Sequence, residues 1–308
     1  MSQPQSAIIP HSGRYGSFIS LRLNGTVNPI TTVRAVGHRL ASMTADIRAE
    51  YNDSNLVASI AFGSNIWQKL AQTMPQQLKP FKTIGQGAVS ATAGEVDLFF
   101  HCHSNAVDIN FLLCQNLLAA LSDSVSVINE TQGFLFLDNR DLTGFIDGTE
   151  NPEEEQERCD VALIGSEDIA SAGGSYVLAM RFIHDLDRWQ KLDVSAQENI
   201  IGRTKVDSVE LNENSLPDTA HISRVVIEEK GEELEILRHS MPYGTASGDK
   251  GLFFLSYSRR LDIYEKMLAH MYGESGDGLH DHLMDFSHAP SGSYFFAPSQ
   301  TLLNSWGK

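Results

Sequence analysis

The stretch Leu98-Phe99-Phe100-His101-Cys102-His103-Ser104, followed by Asp108-Ile109, recurs as Leu252-Phe253-Phe254-Leu255-Ser256-Tyr257-Ser258 and Asp262-Ile263. The matching positions Leu98, Phe99, Phe100, Ser104, Asp108 and Ile109 all repeat at one offset of 154 residues. Each copy reads as a β-prone run leading into a helix. A second pair, Gly16-Ser17-Phe18 and Gly174-Ser175-Tyr176, opens an alternating strand in each half at the similar offset of 158. Two matches, in the same order and at nearly one offset, predict a duplicated α+β unit. A period this long excludes a solenoid. Helices on one face of an antiparallel sheet are the expected architecture of each unit, and two such units can enclose a cavity.

The rest of the chain follows that frame. Gly16 to Leu23 reads as the first strand. Asn28-Pro29 opens a helix with its apolar stripe at Val33, Val36, Leu40, Met43 and Ile47. Leu56 to Phe62 is a strand stopped by Gly63, and residues 72–94 read as one long connection. Val96 to His103 is the next strand. Ser104 reads as a helix cap before Phe111, Leu112, Leu117, Leu118 and Leu121. Ser124 to Asn129 is a further strand. The expected division is an N-terminal half over 1–132, a connecting segment over 133–171 and a C-terminal half over 172–308.

Composition narrows the function. A hydrophobic share of 42% against 20% charged residues supports a packed core rather than disorder. The net charge of −16 repels phosphate backbones, so nucleic acid is excluded as a partner. No apolar run is long enough to span a membrane, and Met1 to Pro10 lacks the pattern of a secretory leader, so a cytoplasmic location is expected. Cys102, Cys114 and Cys159 form no CxxC pair and read as reduced thiols. The acidic run Glu153-Glu154-Glu155 with Glu157 reads as a solvated loop. His101 and His103, and likewise His280 and His282, lie two apart, but neither pair has an evident third metal ligand.

The connecting segment carries Asp141-Leu142-Thr143-Gly144-Phe145-Ile146-Asp147-Gly148-Thr149-Glu150-Asn151-Pro152. Gly144 and Gly148 admit backbone shapes closed to other residues, and Pro152 ends any strand ladder. Asp147 therefore lies in a tight bend able to pass close to a flat ligand, or in an Asp-Gly turn with a capping carboxylate. No calcium-loop pattern fits.

This block resembles the GxxDG signature of the dye-decolorising peroxidases, and Asp138-Asn139-Arg140 before it is similar to the compact bacterial B-type members. Further matching blocks follow in order: Ile201-Gly202-Arg203-Thr204-Lys205, Ala220-His221-Ile222-Ser223-Arg224-Val225, Leu237-Arg238-His239-Ser240-Met241-Pro242-Tyr243-Gly244 and Gly292-Ser293-Tyr294-Phe295-Phe296-Ala297-Pro298. The resemblance runs through nearly the whole chain. It implies two ferredoxin-like halves whose antiparallel sheets and peripheral helices enclose a haem pocket. It also implies one haem b per chain and a peroxidase that reduces hydrogen peroxide through a ferryl porphyrin radical. The electron donors would be dyes, phenols or other small molecules.

By the same resemblance His221 is the proximal ligand of the haem iron, with Asp281 as acceptor for its second ring nitrogen and Asp285 in reserve. Asp147 and Arg238 are the distal pair. The carboxylate would shuttle the peroxide proton, and the guanidinium, which keeps its proton, would act as a fixed positive charge. Arg203 matches the partner of a haem propionate, with Lys205 as a second candidate. Gly148 and Thr149 are expected against the cofactor. Ser240 stands where some members have asparagine and is the departure from the pattern. Aspartate used where other peroxidases use histidine implies an acid optimum, because a carboxyl group ordinarily titrates near pH 4. Trp189, Tyr243 and Trp306 are candidate electron relays, and a homo-oligomer is expected. The chain ends at Ser305-Trp306-Gly307-Lys308 soon after the last block, so the packaging tag of some relatives is expected to be absent. The competing readings are a haem carrier or iron-releasing protein using the same His221 and Arg203, and a chlorite-type haem enzyme, which the Asp147 motif disfavours.

Overall fold

The computed structural model describes residues 2–25, 28–51 and 55–307. Met1 and Lys308, the outer limits of the two expected halves, lie outside the described residues. In the first half four strands, β1 (Tyr15–Leu23), β2 (Val57–Phe62), β3 (Leu98–Ser104) and β4 (Val125–Phe134), pair antiparallel in the order β4-β1-β3-β2. In the second half β5 (Ser175–His184), β6 (Met241–Gly244), β7 (Lys250–Ser258) and β8 (Ser287–Ala297) pair antiparallel in the order β8-β5-β7-β6. Numbered within each half, both orders are fourth, first, third, second. The fold is a duplicated ferredoxin-like α+β fold, and the repeated Leu-Phe-Phe motif lies on the third strand of each copy.

The two sheets join edge to edge. Tyr243 of β6 pairs with Gly133 of β4, and Phe296 of β8 pairs with Phe62 of β2, so the eight strands form a closed circuit. The second seam is thin, and the buried Gln5 side chain reinforces it. Its amide donates to the carbonyls of Ile60 and Pro298, both at 2.9 Å, and its oxygen accepts the Ile60 N–H. Eight strands leave an interior that side chains fill. Phe18, Phe99, Val177, Phe253, Leu255, Tyr257 and Phe295 form that filling, with Phe18 stacked on Phe253 at 4.3 Å.

Because side chains alternate along a strand, the same strands present a second apolar face outward. In the first half two long helices cover it. α1 (Pro29–Glu50) buries Val33, Val36, Leu40 and Ile47, and α2 (Val107–Leu121) buries Ile109, Leu113, Cys114, Leu117 and Leu121. In the second half α5 (Leu261–Met271) takes the place of α2. The counterpart of the 22-residue α1 is instead broken into Leu186–Trp189, α3 (Val194–Ile201) and α4 (His221–Val225). A cavity opens over the outer face of the second sheet, where among the described residues these short helices stand in place of a long one.

Several local readings are corrected. Residues 72–94 hold a hairpin, Ile84–Gln86 with Val89–Ala93, whose second strand runs parallel to β8. Helix α2 starts at Val107 with Ala106 as its cap residue. Ser104 instead bonds both backbone groups of Ala106, which closes a turn before the helix, and Phe111 faces solvent. The strand expected to end at Asn129 continues to Phe134. Glu155 and Glu157 are exposed as expected but form the first turn of a helix, Glu155–Ala162, where acidic residues complement the helix dipole. The three thiols are free. Among the described residues no helix is long and apolar enough to cross a membrane.

Candidate active site

The segment between the halves is pinned by two asparagines. Asn139, itself at φ +68°, takes the N–H of Asp147 on its carbonyl at 2.9 Å and donates its side-chain amide to the Asp147 carbonyl at 2.7 Å. Asn151 does the same for Arg238: its oxygen accepts the Arg238 N–H at 2.8 Å and its amide donates to the Arg238 carbonyl at 2.9 Å. Gly144 and Gly148 both have positive φ, +91° and +81°, which a side chain would strain. At Gly144 a Cβ would also come within 2.8 Å of the Lys205 chain. Asp147 and Arg238 thus face each other with Oδ1 and Nη1 3.5 Å apart.

His221 is the first residue of α4. Its Nδ1 meets Oδ2 of Asp281 at 2.6 Å, and Asp281 is fully buried, its other oxygen accepting the Leu283 N–H at 2.8 Å. Asp285 pairs with His280 at 3.1 Å instead, so the geometry joins His221 to Asp281 rather than to the reserve candidate. With Nδ1 engaged, Nε2 is the ring nitrogen left for the cavity.

One cavity gathers Asp147, Gly148, Thr149, Arg203, His221 and Arg238. Counted out to open solvent its void is about 1490 Å³. Leu178, Met180, Phe182, Leu252 and Phe254 form one wall, from alternate positions of β5 and β7, and Tyr264, Met267, Leu268 and Met271 of α5 form another. Such a space, apolar with a few convergent polar groups, is the usual form of a small-molecule or cofactor site. Arg203 bonds the Ser208 carbonyl and forms ion pairs with Glu150 and Glu210. Around it the Glu233 carboxyl is pushed up by burial and by Glu235, Glu150, Glu228 and Glu210. Lys205 turns away to Gln197, at 2.6 Å, and does not line the cavity. Ser240 does not line it either; its hydroxyl accepts the Leu255 N–H at 3.3 Å.

Sequence reasoning missed a polar chain in the same cavity. His184 contacts Asp141 through Nε2 at 3.2 Å and Ser287 through Nδ1 at 2.7 Å. Burial would push the Asp141 carboxyl up, but the His184 ring and two hydrogen bonds from Thr143 outweigh it and hold it at about 2. The signal was available: His184 continues the alternation Leu178, Met180, Phe182. Of the aromatic candidates, Trp189 donates to the Thr143 carbonyl and meets Phe145 edge-on, and both Thr143 and Phe145 line the cavity. Tyr243 donates to the carbonyl of the lining residue Phe182. Trp306 packs instead against Phe62 and Trp67.

A sheet closed from two ferredoxin-like copies, with the cavity that gathers these residues over the second copy, places the protein in the class of duplicated ferredoxin-like α+β proteins. Within that class the chain belongs to the Dyp-type peroxidase family and is a peroxidase. The family's N-terminal model matches residues 5–135 and its C-terminal model residues 138–302. A dye-decolorizing peroxidase of Mycobacterium tuberculosis is 38% identical over 253 residues, covering 81% of this chain and 75% of the relative. The solved structure of a dye-decolorizing protein from V. cholerae superimposes with a TM-score of 0.92 at 39% identity, covering 98% of this chain and 99% of that one. A variant of DypB from Rhodococcus jostii RHA1, solved in complex with heme, superimposes with a TM-score of 0.93 at 32% identity, covering 98% of each chain.

Proposed function

We propose that this peroxidase carries one haem b per chain, reduces hydrogen peroxide, and oxidises dyes, phenols or other one-electron donors, best at acid pH. The observation that carries the reading is the His221–Asp281 pair at 2.6 Å on the same cavity as the Asp147–Arg238 pair. The residues fit the cofactor. A half-buried imidazole offers Nε2 after committing Nδ1 to a buried carboxylate, the arrangement that strengthens an iron-ligating histidine. The walls from β5, β7 and α5 are apolar enough for a macrocycle, and Arg203 supplies the cation that a propionate needs. When bound, haem b supplies an iron that peroxide oxidises and that donors reduce again one electron at a time.

The chain's own groups would do the rest. Asp147 takes the proton that peroxide loses and returns it to the departing oxygen, either directly or through one water. Arg238 cannot release its proton and so stays a fixed positive charge toward the peroxide anion and the leaving oxygen. Asn139 and Asn151 hold these two side chains in register from the backbone. A closed homo-oligomer belongs to the same reading, and light scattering tests it.

Haem reconstitution tests the proposal. The loaded protein is expected to give a Soret band and peroxide-dependent oxidation of a phenol or dye that falls above neutral pH. His221→Ala is expected to lose the band. Asp147→Ala and Arg238→Leu are expected to keep it while slowing the reaction with peroxide. No Soret band, or recovery of metal-free porphyrin without peroxide turnover, overturns it.

A further inference from the structure

We propose a second, exposed metal site formed by His280, His282 and Asp285, taking one divalent transition-metal ion of the zinc, nickel or copper kind. The sequence placed the two histidines two apart and offered no third ligand. The fold supplies it: the turn His282–Asp285 brings the Asp285 carboxylate back to His280. One ligand atom from each of the three residues lies within 4.8 Å of the others. His280 Nε2 and Asp285 Oδ1 are 3.1 Å apart. Two ligands on arms of about 2.0 Å at tetrahedral angles stand about 3.3 Å apart, so this pair already has the spacing that zinc requires. The His280 and His282 ring centroids are 5.3 Å apart, so rotation of the exposed His282 ring completes the set.

The donor set determines the metal class. Two imidazoles and one carboxylate favour zinc, nickel or copper over calcium and magnesium, which take oxygen ligands. The Arg188 guanidinium nearby bonds the Asp285 carbonyl at 3.0 Å, while the Asp285 carboxylate turns to His280. None of the three residues lines the cavity, so the site does not depend on the haem reading. Its position gives it a consequence. Asp281 lies between the two histidines in the chain, so an ion held by residues 280, 282 and 285 would clamp the turn that carries the partner of His221.

Titrating the purified holoenzyme with zinc chloride by isothermal calorimetry tests this. One ion per chain is expected, with binding weakened at least about tenfold by His282→Ala and by Asp285→Asn. Hydrogen exchange at the Leu283 to Asp285 amides is expected to slow on zinc addition in the parent and not in either variant. Thermal melts check folding, which replacement of these exposed side chains should leave intact. Equal zinc binding in parent and variants, or exchange at the turn indifferent to zinc, overturns the proposal.

Discussion

The Asn151 side chain holds both backbone groups of Arg238, accepting its N–H at 2.8 Å and donating to its carbonyl at 2.9 Å. Those bonds fix the connecting segment to the strand Leu237–Arg238 across 87 residues of sequence. Asn151→Ala removes both and leaves two backbone groups unpaired, at a cost of about 1–3 kcal/mol each where buried. The expected result is a reaction with peroxide slowed about tenfold or more, with the Soret band unchanged. Stopped-flow mixing with peroxide measures it, and an unaltered rate would remove Asn151 from the positioning machinery.

Asp281→Asn keeps the size of the side chain but takes its charge from His221. The imidazole then donates to a neutral oxygen, its ring becomes a weaker donor, and a bound ferric iron is less stabilised. The ferric/ferrous potential is expected to rise, and activity to fall about 10–100-fold, the usual effect of losing such a partner. Spectroelectrochemical titration of parent and variant measures the potential. An unchanged value would mean that Asp281 serves only to cap the turn through Leu283.

What the sequence could and could not disclose follows from how far apart the cooperating residues are. The repeat motif revealed the duplicated unit because equivalent third strands keep the same alternation of inward and outward side chains. Closure of the two sheets was not readable, because each seam rests on one residue pair, and the second also on Gln5, which no periodicity marks. The resemblance singled out Asp147, Arg203, His221 and Arg238, and one cavity collects all four. His184 and Ser287 were missed because His184 lies 43 residues after its partner Asp141 and 103 before its partner Ser287, so only the folded sheet assembles the chain. Ser240 and Lys205 sit in matching blocks, yet their neighbours direct them elsewhere.

Gly133 sits in the seam where β4 meets β6, paired with Tyr243. A Cβ there would stand 2.7 Å from Cβ of Met241 and 2.9 Å from the Phe18 ring. Gly133→Ala must therefore displace a strand backbone or a core ring, at a cost of about 1–3 kcal/mol. Chemical denaturation is expected to show that loss, and a variant as stable as the parent would mean that the seam is loose.

The barrel interior sets stability against acidity. His101, His103 and His239 meet there, with centroids 5.3 to 5.8 Å apart. Burial pushes His103 down to about 4, and burial with the neighbouring histidines lowers His101 and His239 well below the usual range. The neutral forms are built in: Nδ1 of His103 accepts the Gly13 N–H at 3.0 Å, and His239 engages Ser12 at 2.9 Å and the Ile8 carbonyl at 2.8 Å. In the unfolded chain these rings take up protons near pH 6.5, so below that the unfolded state binds more protons and stability falls with pH. Their contribution is complete above about pH 6.5 and is lost as pH drops toward 4. For His103 the loss between pH 7 and pH 5 is about 2 kcal/mol. Asp141, held at about 2, adds its own loss only at lower pH. An enzyme working best in acid would thus be least stable there, its useful range bounded below by unfolding. The melting temperature is expected to fall steadily from pH 7 to pH 5, with a shallower slope in His103→Gln, whose amide can still accept the Gly13 N–H but takes no proton. Equal slopes in parent and variant would show that the buried rings do not set the acid limit.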